Sequence, residues 1–400
     1  TVDLTPAAIT INTIATDDVI NAAEKGANLT LSGTTTNVEA GQTVTVTFGD
    51  KNYTASVAGD GSWTATVPAA DLAALPEGSA SAQASVSNIN GNSASAVHSY
   101  SVDSSAPTII INTVASDNIV NASEADAGVT VSGSTTAEAG QIVTVTLNSP
   151  TVQTYQATVQ ADGSWSINIP AADLAALTDG SHTLTATVND KAGNPASTTH
   201  NLAVDLTVPV LTINTIAGDD IINATEHGQA LVISGSSTGG EAGDVVTVTL
   251  NSKTYTTTLD ASGNWSVGVP AADVTALGSG PQTVTATVTD AAGNSDSETH
   301  TVTVNLTAPT IGINTIATDD VINATEKGAD LQISGTSNQP AGTTITLTLN
   351  GQNYTATTDA SGNWSTTVPA SAVGALGEAS YTVTANVTDS AGNRNSASHN

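Results

Sequence analysis

The sequence predicts an all-β chain of four tandem β-sandwich units, about seven strands each, set end to end as a rod. Three observations lead there. Trp63, Trp165, Trp265 and Trp364 recur at steps of 102, 100 and 99 residues, and Tyr53, Tyr155, Tyr255 and Tyr354 keep the same step. Apolar residues alternate with Thr or Ser in runs such as Val44-Thr45-Val46-Thr47-Phe48 and Leu184-Thr185-Ala186-Thr187-Val188, the period of half-buried strands. Turn-forming clusters such as Gly59-Asp60-Gly61-Ser62 separate the runs.

Each unit opens on a segment like Val-Asp-Leu-Thr-x-Pro, with Pro6, Pro107, Pro209 and Pro309 in register, which reads as the linker. The domains expected are therefore 1–103, 104–205, 206–305 and 306–400. Residues 1–3 read as the tail of a preceding unit. The last unit stops before the strand that Thr301-Val302-Thr303-Val304 supplies in the third, so the piece reads as cut from a longer array. Trp63 shares a strand face with Ala65 and Val67, which assigns it and its copies to the core rather than to a sugar-stacking surface. One segment per repeat reads as helix, Pro68 to Leu75 and its copies, with Pro at the first helical position and Leu72 and Leu75 spaced to touch the sandwich. About 100 residues, seven short strands and one core Trp describe an immunoglobulin-like sandwich without its Cys pair. Strands of seven to ten residues make each unit roughly 35 to 45 Å long, and four in line about 150 Å.

Charge narrows the function classes. The chain carries 36 Asp and Glu against 6 Lys and Arg, a formal net charge of −30, which repels nucleic acid and anionic membrane surfaces and favours divalent counter-ions. With no Cys there is no disulfide framework, thiolate metal site or Cys nucleophile. No Gly-x-Ser-x-Gly elbow, phosphate loop or His-Glu-x-x-His helix is present, and a fourfold period suits spacing rather than one specialised cleft, so no enzyme is expected. His98, His200, His300 and His399 lie about one repeat apart, which suits polar strand positions better than zinc ligation.

The combined pattern of Val-Asp-x-Thr-x-Pro, Asp-Asp-x-Ile-Asn-x-x-Glu, Gly-Ser-Trp or Gly-Asn-Trp, and Asp-x-Ala-Gly-Asn resembles the bacterial Ig-like repeats of giant surface adhesins and biofilm-associated proteins. The resemblance covers the whole chain. It implies an extracellular stalk on the bacterial surface, exported by signals outside this segment, with calcium stiffening the junctions and a distal domain meeting the host or biofilm. Departures are Asn88-Ile89-Asn90-Gly91-Asn92 in the first repeat, Asp117-Asn118 for the Asp pair, and Asn305 for the linker Asp.

Strand order gives an independent route to calcium. If seven strands alternate in direction, the first loop and the end of the seventh strand share the exit pole, while the last loop lies at the entry pole of the next repeat. One junction then gathers Asp17, Asp18, Asp103, Asp190 and Asn194; the second Asp117, Asn118, Asp205, Asp290 and Asn294; the third Asp219, Asp220, Asn305, Asp389 and Asn393. Such hard oxygen donors suit Ca2+ better than Mg2+, and without a cation each carboxylate pair at 4 Å repels by about 4 kcal/mol at an effective dielectric near 20. The same residue types also suit ordinary turns; convergence at successive junctions is what favours calcium. Glu24, Glu124, Glu226 and Glu326 fit either role, ligand or acceptor of backbone N–H groups. The rival function is a set of repeats that bind a glycan, a host protein or each other. The divergent loops, Ser149-Pro150-Thr151-Val152-Gln153 and Asn338-Gln339-Pro340, are small and polar, which favours the spacer with neighbouring repeats as partners.

Overall fold

The computed structural model describes residues 4–148 and 152–400. The tail read at residues 1–3 and the loop positions Ser149, Pro150 and Thr151 lie outside them. The chain divides into two compact units, residues 1–206 and 207–400. Each contains two sandwiches with separate apolar cores, drawn from Ile9–Val102 and Ile109–Val204 in the first unit and from Leu211–Val304 and Ile316–Val387 in the second.

The first repeat shows the plan. Strands β1 (Ala8–Ile9), β3 (Leu29–Thr36) and β6 (Ser62–Val67) form one sheet in the order β1-β3-β6. The facing sheet joins β2 (Val19–Ile20), β8 (Ser93–Val102), β7 (Gly78–Ser87), β4 (Thr43–Phe48) and β5 (Lys51–Ser56), in the order β2-β8-β7-β4-β5. The alternating pattern does what it encodes: Val44, Val46 and Phe48 of β4 and Trp63, Ala65 and Val67 of β6 point into the core while the Thr residues between them face outward. Trp63, Trp165, Trp265 and Trp364 are all buried. The single Phe of the chain, Phe48, stacks on Tyr100 with ring centroids 4.5 Å apart, where the second repeat packs Leu147 and Leu202.

In this repeat the expectation of strands alternating in direction holds for every neighbouring pair except one: β2 runs parallel to β8, with Val19 opposite Ser101 and Ile20 opposite Val102, and the second and third repeats have the same parallel pair. The first strand changes sheets. Between β1 and β2 the chain crosses through Ala15, Thr16 and Asp18, all at positive φ (51°, 73° and 67°). The Asp18 side chain steadies the crossing by accepting from Ile14 N at 2.8 Å, and Asp17 Oδ1 accepts from Val19 N at 3.0 Å. Short polar side chains that bond their own backbone tolerate this left-handed region.

Two helical turns per repeat occur where one was expected. The helix α2 (Ala69–Leu72) matches the expectation, although Pro68 is its N-cap, at ψ 147°, and not a residue inside its first turn. The helix α1 (Ala22–Lys25) was not anticipated; its counterpart in the second repeat spans Ala122–Ala127, and the third and fourth repeats have 3-10 turns at Glu226–Gly228 and Glu326–Gly328. From α2, Asp71 accepts from the Tyr53 hydroxyl at 2.8 Å and pairs with Lys51. Tyr155–Asp173 and Tyr255–Asp273 repeat the bond, at 2.7 and 2.8 Å, and in the fourth repeat Ala372 stands where that Asp would be.

Gly33 of β3 lies beneath the Trp63 indole. A Cβ there would sit 1.9 Å from Thr10 O and 2.6 Å from the ring, and Gly133, Gly235 and Gly335 are crowded alike. Overpacking of this kind costs about 1 to 3 kcal/mol or more. Because each repeat holds one Trp, Gly235→Ala is expected to move about a quarter of the fluorescence change to lower urea; a single unmoved transition would contradict the crowding. Burial, and then the bonded carboxylates, push the Tyr53 and Tyr255 hydroxyls up to about 12 and Tyr155 higher still. A raised acid stabilises the fold below its unfolded value, near 10, and this contribution is lost as pH rises through the folded value. The phenolate absorbance lost on replacing Tyr53 or Tyr255 by Phe is therefore expected to be that which appears near pH 12 in the native chain and near pH 10 in urea, with the contribution of each to stability falling between.

Candidate junction sites between repeats

The sequence Asn21-Ala22-Ala23-Glu24 folds as a capping box: Asn21 Oδ1 accepts from Ala23 N and Glu24 N, both at 3.0 Å, and Glu24 Oε2 accepts from Asn21 N at 3.0 Å. Of the two roles open to Glu24, the structure displays the backbone acceptor, and Glu124, Glu226 and Glu326 repeat it. The first-turn N–H of Ala22 has no partner within its own helix. Asn194 of the next repeat supplies one, its Oδ1 accepting from Ala22 N at 2.8 Å.

Asn194 closes the hairpin between strands Gly180–Asn189 and Pro195–Asp205. Its backbone N donates to Asp190 Oδ1 at 2.8 Å, and its Nδ2 donates to Asp190 Oδ2 and to the Asp103 carbonyl, both at 2.9 Å. Both side chains are buried. One neutral amide thus ties the last strand and the first helix of repeat 1 to the hairpin of repeat 2. The second unit repeats the device: Asn393 Oδ1 accepts from Ala224 N at 2.8 Å, while its Nδ2 donates to the Asn305 carbonyl at 3.0 Å and to Asp389 Oδ2 at 3.2 Å. At Gly392, φ is 86° and a Cβ would meet Asn223 Nδ2 at 2.9 Å, so the close approach of the two repeats requires glycine there.

Of the residues expected at these two junctions, the hydrogen bonds bring together Asp103, Asp190 and Asn194 in one unit and Asn305, Asp389 and Asn393 in the other. Asp17, Asp18, Asp219 and Asp220 lie on the sheet crossing instead, engaged with backbone N–H groups of their own turns. In the remaining set, Asp117 and Asn118 make the same turn bonds, to Ile119 N and Val114 N at 2.9 Å each. Asp205 closes its strand opposite Asn121, and Asp290 accepts from both nitrogens of Asn294, at 2.8 and 2.9 Å. Asn88 of the first repeat serves its hairpin as those Asp residues do, its Oδ1 accepting from Asn90 N and Asn92 N.

The histidines take a more definite role than a generic polar position. His98 Nε2 meets Asp18 Oδ1 at 2.6 Å, His300 meets Asp220 at 2.7 Å, His399 meets Asp320 at 2.6 Å, and His200 meets the amide oxygen of Asn118 at 2.7 Å. The backbone N–H of Ile14, Ile216 or Ile316, and then the histidine, hold the Asp18, Asp220 and Asp320 carboxyls below the ordinary carboxylate value. The linker is anchored too. Ser104 N donates to Glu77 at 2.9 Å, Lys25 reaches both Glu77 and Ser104 Oγ at 3.3 Å, and in later repeats Leu206 and Leu306 pack against the core of the preceding sandwich. Among the described residues, no group of three His, Cys, Asp or Glu side chains is disposed to hold a metal ion. No helix among them is long and apolar enough to cross a membrane.

Paired sandwiches with two-sheet cores, joined loop to loop, define an array of immunoglobulin-like repeats. The chain belongs to the bacterial Ig-like domain family, whose model matches residues 107–206, 213–306 and 309–400. Among solved structures it is 37% identical, over 99% of this chain and 98% of the other, to a chain described as a Ca2+-stabilized adhesin that helps an Antarctic bacterium bind ice, with a TM-score of 0.41. It is 26% identical, over 98% of both chains, to a tetra-tandem repeat from the extending region of a large adhesion protein, with a TM-score of 0.38. A single Ig-like domain of the M. primoryensis ice-binding adhesin is 42% identical over 25% of this chain and 99% of its own, with a TM-score of 0.21. A search of curated proteins finds no match.

Removing the shared amide leaves a backbone N–H, a carbonyl and a buried carboxylate short of a partner, at about 1 to 3 kcal/mol. Asn194→Ala is expected to destabilise repeats 1 and 2 by that amount in chelator, read as a lower urea midpoint for their tryptophans. Asn194→Asp, which sets a carboxylate against Asp190, is expected to do at least as much harm at pH 7 and less at pH 4. Equal midpoints for wild type and both variants would show that the amide does not couple the repeats.

Proposed function

We propose that this chain is a structural extender region of a bacterial cell-surface adhesin, a stalk whose successive repeats are stiffened by calcium at their junctions, supporting adhesion or biofilm formation. The observation that carries the reading is the shared network at Asn194 and Asn393, in which one buried side chain of the second and of the fourth repeat hydrogen-bonds two backbone groups of the repeat before it. Fixed junctions resist bending, and a family of repeats without a specialised cleft serves distance better than chemistry. The descriptions of the similar chains, as a Ca2+-stabilized adhesin and as the extending region of a large adhesion protein, come to this chain as part of the same proposal.

The donors suit the ion. At the first junction the Asp103 carbonyl and the Asp190 carboxylate share the same Asn194 nitrogen, which brings two acidic residues to one point beside the Glu24 capping box. Every donor there is oxygen. In this reading Asp103, Asp190 and Asn194, and in the second unit Asn305, Asp389 and Asn393, would hold Ca2+ together with main-chain carbonyls and water, a mixed oxygen shell that calcium tolerates and magnesium does not. Bound there, the ion neutralises the charge of the facing loops. Asp17, Asp18, Asp219 and Asp220 hold the sheet crossing instead.

The test is small-angle scattering of the whole chain in millimolar calcium and then in chelator, paired with calcium titration of Asp103→Asn and Asp190→Asn. The expected result is an extended particle that becomes a broader ensemble on chelation, with weaker binding in both variants. A shape and a calcium isotherm indifferent to the ion and to both substitutions would reduce these loops to ordinary turns.

A further inference from the structure

The chain contains two Asn-Gly steps, Asn90-Gly91 and Asn350-Gly351. At such a step no side chain on the glycine obstructs the approach of its nitrogen to the asparagine Cγ, so the backbone can react with its own side chain. All four residues are exposed, and the two steps differ instead in the glycine N–H. In the first repeat, Asn90-Gly91 lies in the hairpin between β7 and β8, where Gly91 N donates to Asn88 O at 3.0 Å and Asn90 N donates to Asn88 Oδ1 at 3.1 Å.

In the fourth repeat, Asn350-Gly351 forms the two-residue turn between strands Thr344–Leu349 and Gln352–Thr357, with Leu349 opposite Gln352. Asn350 and Gly351 are at positive φ, 45° and 74°, the tight hairpin turn that Asn-Gly suits best. The flanking residues of such a turn bond each other and leave the central N–H groups to water. Among the described residues none accepts from Gly351 N, and a Cβ added at Gly351 would meet nothing within 4 Å. The third repeat makes the same turn from Asn251-Ser252, at φ 49° and 61°, with a side chain beside the nitrogen.

We propose that Asn350 is a site of spontaneous deamidation in the folded chain, one that reacts faster than Asn90. The Gly351 nitrogen gives up its proton and bonds to Asn350 Cγ; the Cγ–Nδ2 bond breaks, and the amide nitrogen leaves with that proton as ammonia. Water then opens the five-membered imide. Opening at the Cγ carbonyl leaves an aspartate, and opening at the main-chain carbonyl leaves an isoaspartate whose backbone runs through the side-chain carbon. Either product adds one negative charge to a chain already at −30, and the second also lengthens a turn that joins two strands in fixed register. A hydrogen-bonded N–H holds its proton more tightly than one facing water, so the Asn88 carbonyl protects the step in the first repeat. The aspartate product fits a turn of this kind, since Asp50 stands in the corresponding turn of the first repeat at φ 63°. The site is independent of the calcium reading.

The test incubates the whole chain at mildly alkaline pH in heavy-oxygen water, folded and in urea, and locates the incorporated oxygen by peptide mass spectrometry. In the folded chain the label is expected at position 350 severalfold faster than at position 90, about tenfold at most, the factor one hydrogen bond is worth. In urea that bond is lost, and the two Asn-Gly steps are expected to react at similar rates, while Asn251, followed by Ser, stays slower in both states. Gly351→Ser, which copies the turn of the third repeat, is expected to remove most of the label at position 350. Three results would overturn the proposal: equal rates at positions 350 and 90 in the folded chain, a ratio that urea leaves unchanged, or undiminished label in the Gly351→Ser variant.

Discussion

The rest of the structure depends on one backbone event, the crossing of the first strand from one sheet to the other. Ala15, Thr16 and Asp18 are left-handed, and the crossing is held because Asp18 accepts from Ile14 N and from His98. Only after it can β2 lie beside β8, and only then does α1 sit at the pole where β8 delivers Asp103, whose N donates to Ile20 O at 3.0 Å. The junction follows from that neighbourhood: the free first-turn N–H of α1 and the carbonyl of Asp103 are near enough for one Asn side chain to bond both. A residue far from the interface in role, His98, therefore helps set it.

The four copies act as a natural substitution series and separate what a position needs from what it usually holds. The crossing requires an acceptor oxygen and not a charge, since Asn118 with His200 serves as well as Asp18 with His98. The hairpin before the last strand accepts Asn88 for Asp190 on the same ground. The Tyr to Asp bond is dispensable, because the fourth repeat keeps Tyr354 and its core with Ala372 in place of the acid. What does not vary is geometry without a side chain: Gly33, Gly133, Gly235 and Gly335 all lie under the indole, where any Cβ collides with the backbone of the first strand.

Period and alternation made the fold class readable, because Trp spacing and the Thr-Val rhythm are properties of single side chains. The hairpin turns and the burial of the tryptophans were readable for the same reason. The capping box is also written plainly, Asn followed three residues later by Glu, but a four-residue helix leaves no apolar period by which to tell it from a loop. The sheet crossing was hidden in a different way. It is encoded in backbone angles of Ala15 and Thr16, residues with no preference for positive φ, so residue types alone do not announce that Asp17 and Asp18 bond the backbone of the crossing. Half of the junction is likewise main chain, Ala22 N and the Asp103 carbonyl, which no residue type announces.

The choice of a neutral amide at the shared position follows from the charge of the chain. Six cationic side chains serve 36 acids, and three of the lysines are engaged inside single repeats, with Glu77, Asp71 and Asp273. None of these three pairs relieves a junction. A buried carboxylate at position 194 would face Asp190 across a hydrogen-bond distance, and burial amplifies that repulsion. Asn offers both an acceptor for Ala22 N and donors for Asp190 and Asp103, so it satisfies every partner while adding no charge. The junction is thus closed by hydrogen bonds without adding to the charge of the acids around it.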